Sequence, residues 1–341
     1  VNPRAKKILI WVGYGFAYLF ALFVFAYLTF PYDRLKERIV SEFNARQTGP
    51  DPLHLELDEL GSYWFSGIEA EGVRLVSQPP PPTDASKKAE KPKVLAIDSA
   101  HARVSLLNLL IGNRVTTFGA DAFGGTVSGQ LEDSESERNI ALELDAIDLS
   151  ESPFVSDAIG LPAFGKLSGS IELNAPEARL SKSEGKISLK IAELGVGDGK
   201  AKIRDTIALP RIDAGDLVLE AEVKAGQVKI TQFSATGPDL EFQAEGTIRL
   251  RDQAELSTLS LNVKFKFTER YTGKNEVTRG LFGSGGTPGL FDLDPKNRRA
   301  KHADGFYGWR VSGTLSKPTF NPDSGGSSSS TRHKGGGIGG H

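Results

Sequence analysis

The chain of 341 residues carries 43 acidic against 41 basic side chains, a net charge of -2, and 39% of its residues are hydrophobic. That balance describes a globular or membrane-anchored protein and excludes a polyanion binder, so no nucleic-acid partner is expected. No Cys is present, which excludes disulfides, thiolate metal sites and thiol nucleophiles and leaves burial as the source of stability.

Residues 1–7 form a basic stub with Arg4, Lys6 and Lys7, and residues 8–30, Ile8 to Phe30, read ILIWVGYGFAYLFALFVFAYLTF without a charged side chain. At about 1.5 Å per residue this stretch covers about 34 Å, enough to cross a hydrocarbon core of about 30 Å, and it predicts a single transmembrane helix. It ends in the bulky Thr29, Phe30 and Pro31 where a cleaved signal would end in small residues, so the span is read as an uncleaved anchor. Basic residues before the span and no comparable cluster close after it put the N-terminus in the cytoplasm. The bulk of the chain is then exported, which in a bacterium means an inner-membrane protein with a periplasmic domain. Within the span, Gly13, Ala17 and Ala21 recur every four residues and share one helical face, open either to lipid or to a second helix.

Residues 31–76 begin with Leu35, Ile39, Val40 and Phe43 at helical spacing among charged neighbours, a short amphipathic helix. Its stripe either lies on the membrane or plugs one end of the following domain. The period then changes to two: Leu53, Leu55 and Leu57 alternate with His54, Glu56 and Asp58, and after Tyr63, Trp64 and Phe65 a second strand carries Val73 and Leu75. Residues 77–93 are a Pro-rich, charged loop.

Over residues 94–322 strands with one apolar and one polar face follow one another. Ile187, Leu189 and Ile191 alternate with charged or polar neighbours, as do Leu217, Leu219, Ala221 and Val223. The same holds for Leu240, Phe242, Ala244, Ile248 and Leu250, and for Leu259, Leu261, Val263, Phe265 and Phe267. Period two without intervening helical patterns predicts a mainly β, mostly antiparallel sheet with one wet face. Gly129, Gly169 and Gly313 recur in a shared motif, with a looser copy at Gly246, always on the apolar side. A missing side chain there permits a bulge or close approach of another backbone, and the sheet is expected to curl into a groove or partly open barrel. Phe242, Ile248, Leu259, Leu261, Val263, Phe265 and Phe267 are the candidate groove or core face. The Gly-rich, basic stretch over 271–304 is expected to be a mobile insert, and 323–341 a disordered Gly/Ser tail.

The order of span, amphipathic helix and strands, with Val104 to Gly112 and Ala122 to Gly129, resembles the AsmA-like family of membrane-anchored periplasmic proteins. The closing Asp304 to Leu315 and Lys317 to Pro322 make the layout of residues 1–322 similar to the type II secretion system protein N family (GspN) in its long bacterial form. The GspN resemblance implies an accessory or structural component of the secretion apparatus that supports export of folded proteins and contacts other inner-membrane or periplasmic subunits. The wider likeness implies an alternative, a groove that binds or transfers phospholipid acyl chains. Neither the Pro-rich loop nor 271–304 matches a family pattern.

No catalytic constellation, cofactor motif or metal spacing emerges. Gly195 to Lys200 superficially matches a phosphate-cradling loop, but Ala201 follows the lysine and a strand pattern comes next, so a hairpin turn is expected. Gly283 to Gly286 fails likewise. His54, His101, His302, His333 and His341 show no paired spacing, and Arg298, Arg299, Lys301 and His302 read as a solvated basic loop. An enzyme is therefore not expected. Whether apolar side chains fill the curled sheet or leave a lipid groove stays open, because both need the same alternation.

Overall fold

The uncharged stretch after Lys7 can satisfy its backbone internally only as a helix, and it forms α1 (Pro3–Leu28). Its apolar part, Ile10–Leu28, has a mean hydropathy of 1.8 over 19 residues and no buried side chain, so α1 is long and apolar enough to cross a membrane. The structure is a computed structural model that describes residues 3–47, 52–77, 94–134, 136–152, 156, 160–200, 202–203, 207–284 and 287–323. Apart from Ser77 and Asp323, the expected Pro-rich loop and Gly/Ser tail lie outside the described residues. The chain divides into two compact units, Val1–Gln130 and Leu131–His341.

In unit one, α1 is followed by α2 (Tyr32–Arg46), which has Asp33 in its first turn and Arg46 in its last, opposing the helix dipole. Arg38 and Glu42 pair across one turn at 2.9 Å. The stripe Leu35, Ile39, Val40 and Phe43 is half-buried, and α2 lies against β1 (Leu53–Glu56) and β2 (Glu59–Tyr63). There Asn44 accepts from Leu55 N at 2.8 Å, and Lys36 donates to Asp58 O at 2.6 Å. The helix thus packs on the first two strands of its own unit. β1 and β2 pair in succession with one edge of β3 (Gly67–Ser77), and β4 (Val94–Val104) pairs antiparallel with its other edge. A short helix, α3 (Leu106–Leu110), leads into β5 (Arg114–Ala122), the antiparallel neighbour of β4. β6 (Gly125–Asp133) crosses into the second unit.

Unit two is an antiparallel meander. Its strands β7 (Glu137–Asp148), β8 (Ala163–Pro176) and β9 (Glu184–Val196) lead through the two-residue strands β10 (Lys202–Ile203) and β11 (Ile207–Ala208) to β12 (Ile212–Lys224). Then come β13 (Gln227–Thr236), β14 (Leu240–Arg249) and β15 (Thr258–Phe267). Beyond β15 lie α4 (Glu269–Thr272), α5 (Glu276–Phe282), the short pair β16 (Gly283–Ser284) and β17 (Thr287–Pro288), α6 (Leu290–Leu293) and α7 (Pro295–Ala300). The chain closes with β18 (Tyr307–Thr314) and β19 (Lys317–Pro322). The sheet order is β7-β8-β9-β12-β13-β14-β15-β18-β19; β7 and β19 are its two ends within this unit, so the sheet is not closed into a barrel.

Register makes the apolar residues one continuous face, because partners opposite each other point the same way. One row runs Leu142, Ile171, Ile187, Ala221 and Ile230 and continues through Gly246, Leu261 and Val311 to Phe320. The sheet curls. Cα atoms of β12 and β14 come within 8 Å of each other, less than the roughly 9.6 Å of two strand spacings. At one end, Ser181 in the β8–β9 turn donates through N and Oγ to Asp252 in the β14–β15 turn, at 3.0 and 2.7 Å. That end is packed: Ala221, Val223 and Val228 are buried with Leu173, Ile187 and Ile248 against them.

The stretch 271–304, expected as a mobile insert, is instead built of short helices docked on the other end of the sheet. Its helices are individually capped, Thr268 accepting from Tyr271 N, Asn275 and Thr278 forming a reciprocal capping box, and Asp294 preceding Pro295. Tyr271 and Leu281 are buried with Leu209 and Ile212, which supplies the apolar contact that such short helices need. Residues 285–286 lie outside the described set.

Candidate functional site

The insert is pinned by a buried charge. Asp239, its side chain 1% exposed, accepts from Lys274 Nζ at 3.0 Å and from Asp213 N at 3.1 Å. Lys274 also donates to Arg211 O at 2.9 Å, and Arg270 Nε stands 3.6 Å from the carboxylate. Two tyrosine hydroxyls add to the join: Tyr271 donates to Pro210 O at 2.8 Å and Tyr307 to Asp292 at 2.7 Å. Burial raises both phenol pKa values well above the usual range, and for Tyr307 the Asp292 carboxylate adds to the rise.

Aromatic rings continue the contact between insert and sheet. Phe267 lies 4.6 Å from Phe282 and 5.5 Å from Tyr271, and Phe291 lies 5.1 Å from Tyr307, centroid to centroid. They do not fill the space between. A cavity of about 640 Å³ remains, with Phe265, Phe267, Trp309 and Phe320 on the sheet side and Leu281, Phe282 and Phe291 on the insert side. Asp294, Lys296 and Asn297 are its polar groups. A second space of about 300 Å³ shares Phe265, Phe291, Trp309 and Phe320 and extends along the sheet to Val263 and Val311. Size and lining are those of a small-molecule pocket, a mostly apolar wall with a few convergent polar groups.

The residues singled out from sequence fall on this face, in two parts. Phe242 pairs with Phe265, and Ile248 with Leu259. Phe265 and Phe267 line the larger space and Val263 the smaller. Leu259 and Leu261 sit opposite Gly313 and Val311, whereas Ile248 belongs to the packed end. Leu259, Leu261, Val263, Phe265 and Phe267 are all only half-buried, alternating with exposed Ser260, Asn262 and Lys264. Gly13, Ala17 and Ala21 are exposed on α1. Gly195 to Lys200 ends β9 in a turn, with Gly197 and Gly199 at φ values of 82° and 75°, and no helix follows.

Sequence reasoning missed the insert's contribution to the site. Leu281, Phe282 and Phe291 sit in segments too short for a helical period, and the available signal was the caps Asn275 with Thr278 and Asp294 with Pro295. Trp309 and Phe320 were passed over as parts of a motif. His101 stacks on Tyr63 at 4.2 Å and His302 Nε2 shares a hydrogen bond with Asp323 O at 2.7 Å. Among the described residues no group of three His, Cys, Asp or Glu side chains could hold a metal ion. Comparison with protein-family models, with curated proteins and with solved structures finds no match to this chain.

Proposed function

We propose that this is a single-pass inner-membrane protein, N-terminus cytoplasmic and bulk periplasmic, whose second unit holds phospholipid acyl chains between its curled sheet and its helical insert. The observation that carries the reading is the cavity of about 640 Å³ under the insert, walled by Phe265, Phe267, Trp309 and Phe320. Its continuation toward Val263 and Val311 favours an elongated apolar ligand. Lys296 supplies a positive charge suited to a phosphate, and no covalent chemistry is required of the site. The test is a photo-crosslinking side chain in place of Phe265, with Lys264 on the opposite face as control, in membranes carrying labelled phospholipid. Crosslinked lipid at position 265 and not at 264 is expected; equal labelling or none at 265 would reject the reading.

A second reading makes the chain an accessory component of the type II secretion system. It is favoured by the likeness of Asp304 to Pro322, of which Tyr307 to Pro322 form the β18–β19 hairpin at a sheet edge with Phe320 57% exposed. Pro318 and Pro322 lack N–H groups and limit further strand addition at that edge, so a partner subunit would engage it through side chains. Pulldown of the full chain from membranes should recover secretion subunits under this reading and none of them otherwise.

A further inference from the structure

Two hairpin tips in unit one are apolar where a soluble surface would be polar. Trp64 and Phe65 in the β2–β3 turn are 64% and 67% exposed, and Leu107, Leu110 and Ile111 in and after α3 are 79%, 84% and 74% exposed. The tips are tied together: Ser66 Oγ donates to Val104 O at 2.6 Å, and Val104 N donates to Ser66 O at 3.2 Å, two residues before α3 begins. Trp64 holds its place at a φ of 53°, a left-handed conformation that bulky side chains seldom adopt.

The position of α1 fixes the depth of this patch. The Phe65 ring lies 6.3 Å from Phe23 and 5.9 Å from Tyr27, and Tyr27 OH donates to Ser62 Oγ at 3.0 Å. Both aromatic partners belong to the apolar stretch Ile10–Leu28. Phe23 stands about 7.5 Å along the helix from Leu28, at about 1.5 Å per residue. A bilayer crossed by α1 therefore reaches Phe65, and with it the tied tips. Charge agrees. From Leu60 to Ile68 and from Ala102 to Phe118 the only charged side chains are Arg103 and Arg114, and the Arg103 guanidinium sits 5.9 Å over the Trp64 ring. Positive charge beside exposed leucines and a Trp suits an anionic lipid surface. A cleft of about 480 Å³ between the helices and the sheet, walled by Phe23, Tyr27, Phe65 and Val104 with Arg103 in its lining, lies at the same depth.

We infer that the Trp64–Phe65 turn and α3 form a lip that inserts into the leaflet surrounding the C-terminal end of α1. Leu107, Leu110 and Ile111 enter the acyl region, and Arg103 and Arg114 meet headgroup phosphates. The inference rests on α1 being a membrane span. The chain has no Cys, so single labels are clean. The full chain carrying Leu110→Cys, Phe20→Cys or Asp98→Cys, labelled with a polarity-sensitive dye, is reconstituted in vesicles of phosphatidylcholine and phosphatidylglycerol. At Leu110 the emission shifts to the blue, is lost with nitroxide-bearing lipid and resists an aqueous quencher, while Asp98 on β4 shows the reverse. A Leu110 label that behaves like Asp98 while the Phe20 label is lipid-quenched overturns the lip and leaves the span standing. Water-exposed labels at both Leu110 and Phe20 overturn the lip and the span together.

Discussion

Gly246 and Gly169 sit where a neighbouring strand's backbone comes close to the apolar face. Their φ values are 135° and 148°, and a Cβ at either would press on the carbonyl of the adjoining strand, that of Ser260 or Ser188. A β-branched residue at this point is strained in backbone and space at once. Gly246→Val should therefore destabilise unit two by about 3 kcal/mol, read as a lower urea midpoint, where the same change at the turn residue Gly199, with nothing within 4 Å, should cost less. Asp239 is the other sensitive position. Asp239→Ala leaves the Asp213 N–H without its acceptor and unties the half-exposed Lys274, so it should cost about 2 kcal/mol in a denaturant titration, and protease should then cut between Thr272 and Ala300 sooner than elsewhere in the unit.

The helical insert is the element that turns an apolar sheet face into a walled site, and two of its contacts are expected to weaken at high pH. Tyr271 and Tyr307 have phenol pKa values raised by burial above the ordinary value near 10. The folded state thus holds these protons more tightly than the unfolded chain. Their contribution is complete below about pH 10 and is lost as pH rises above it toward the folded values. Stability measured from pH 8 upward should fall once pH 10 is passed, and a Tyr271→Phe, Tyr307→Phe double variant should flatten that decline; an unchanged slope would place the hydroxyls outside the docking contact. Much of the sheet could be read from sequence because its alternation is local: the strand from Leu259 to Phe267 appears as β15 with its apolar face intact. The insert could not, because what holds Tyr271 and Leu281 is contact with Leu209 and Ile212, some sixty to seventy residues earlier, and no periodic pattern records a contact of that range. The amphipathic helix lay between these cases. Its stripe was visible, but its landing place on β1 and β2 depended on Asn44 meeting Leu55.

At the scale of the molecule, a single apolar helix precedes sheets whose greasy face in unit two is half-exposed between two closed ends. One end is packed by Ala221, Val223 and Val228 and the other carries the insert, beneath which lies the space proposed for an acyl chain. Whether side chains or lipid occupied this face was open from sequence because alternation is identical in both; the space beside Phe265 and Trp309 is a matter of packing that a linear pattern does not carry. The chain has three tryptophans, and Trp309 alone lines both spaces. The most direct measurement is the fluorescence of a Trp11→Phe, Trp64→Phe variant in vesicles whose phospholipid is brominated on its acyl chains, with a variant keeping only Trp11 as control. A lipid-holding groove predicts that Trp309 emission is quenched relative to unbrominated vesicles and recovers when Val263→Asp is added. Equal Trp309 emission in both lipids, with the Trp11 control quenched, would contradict it.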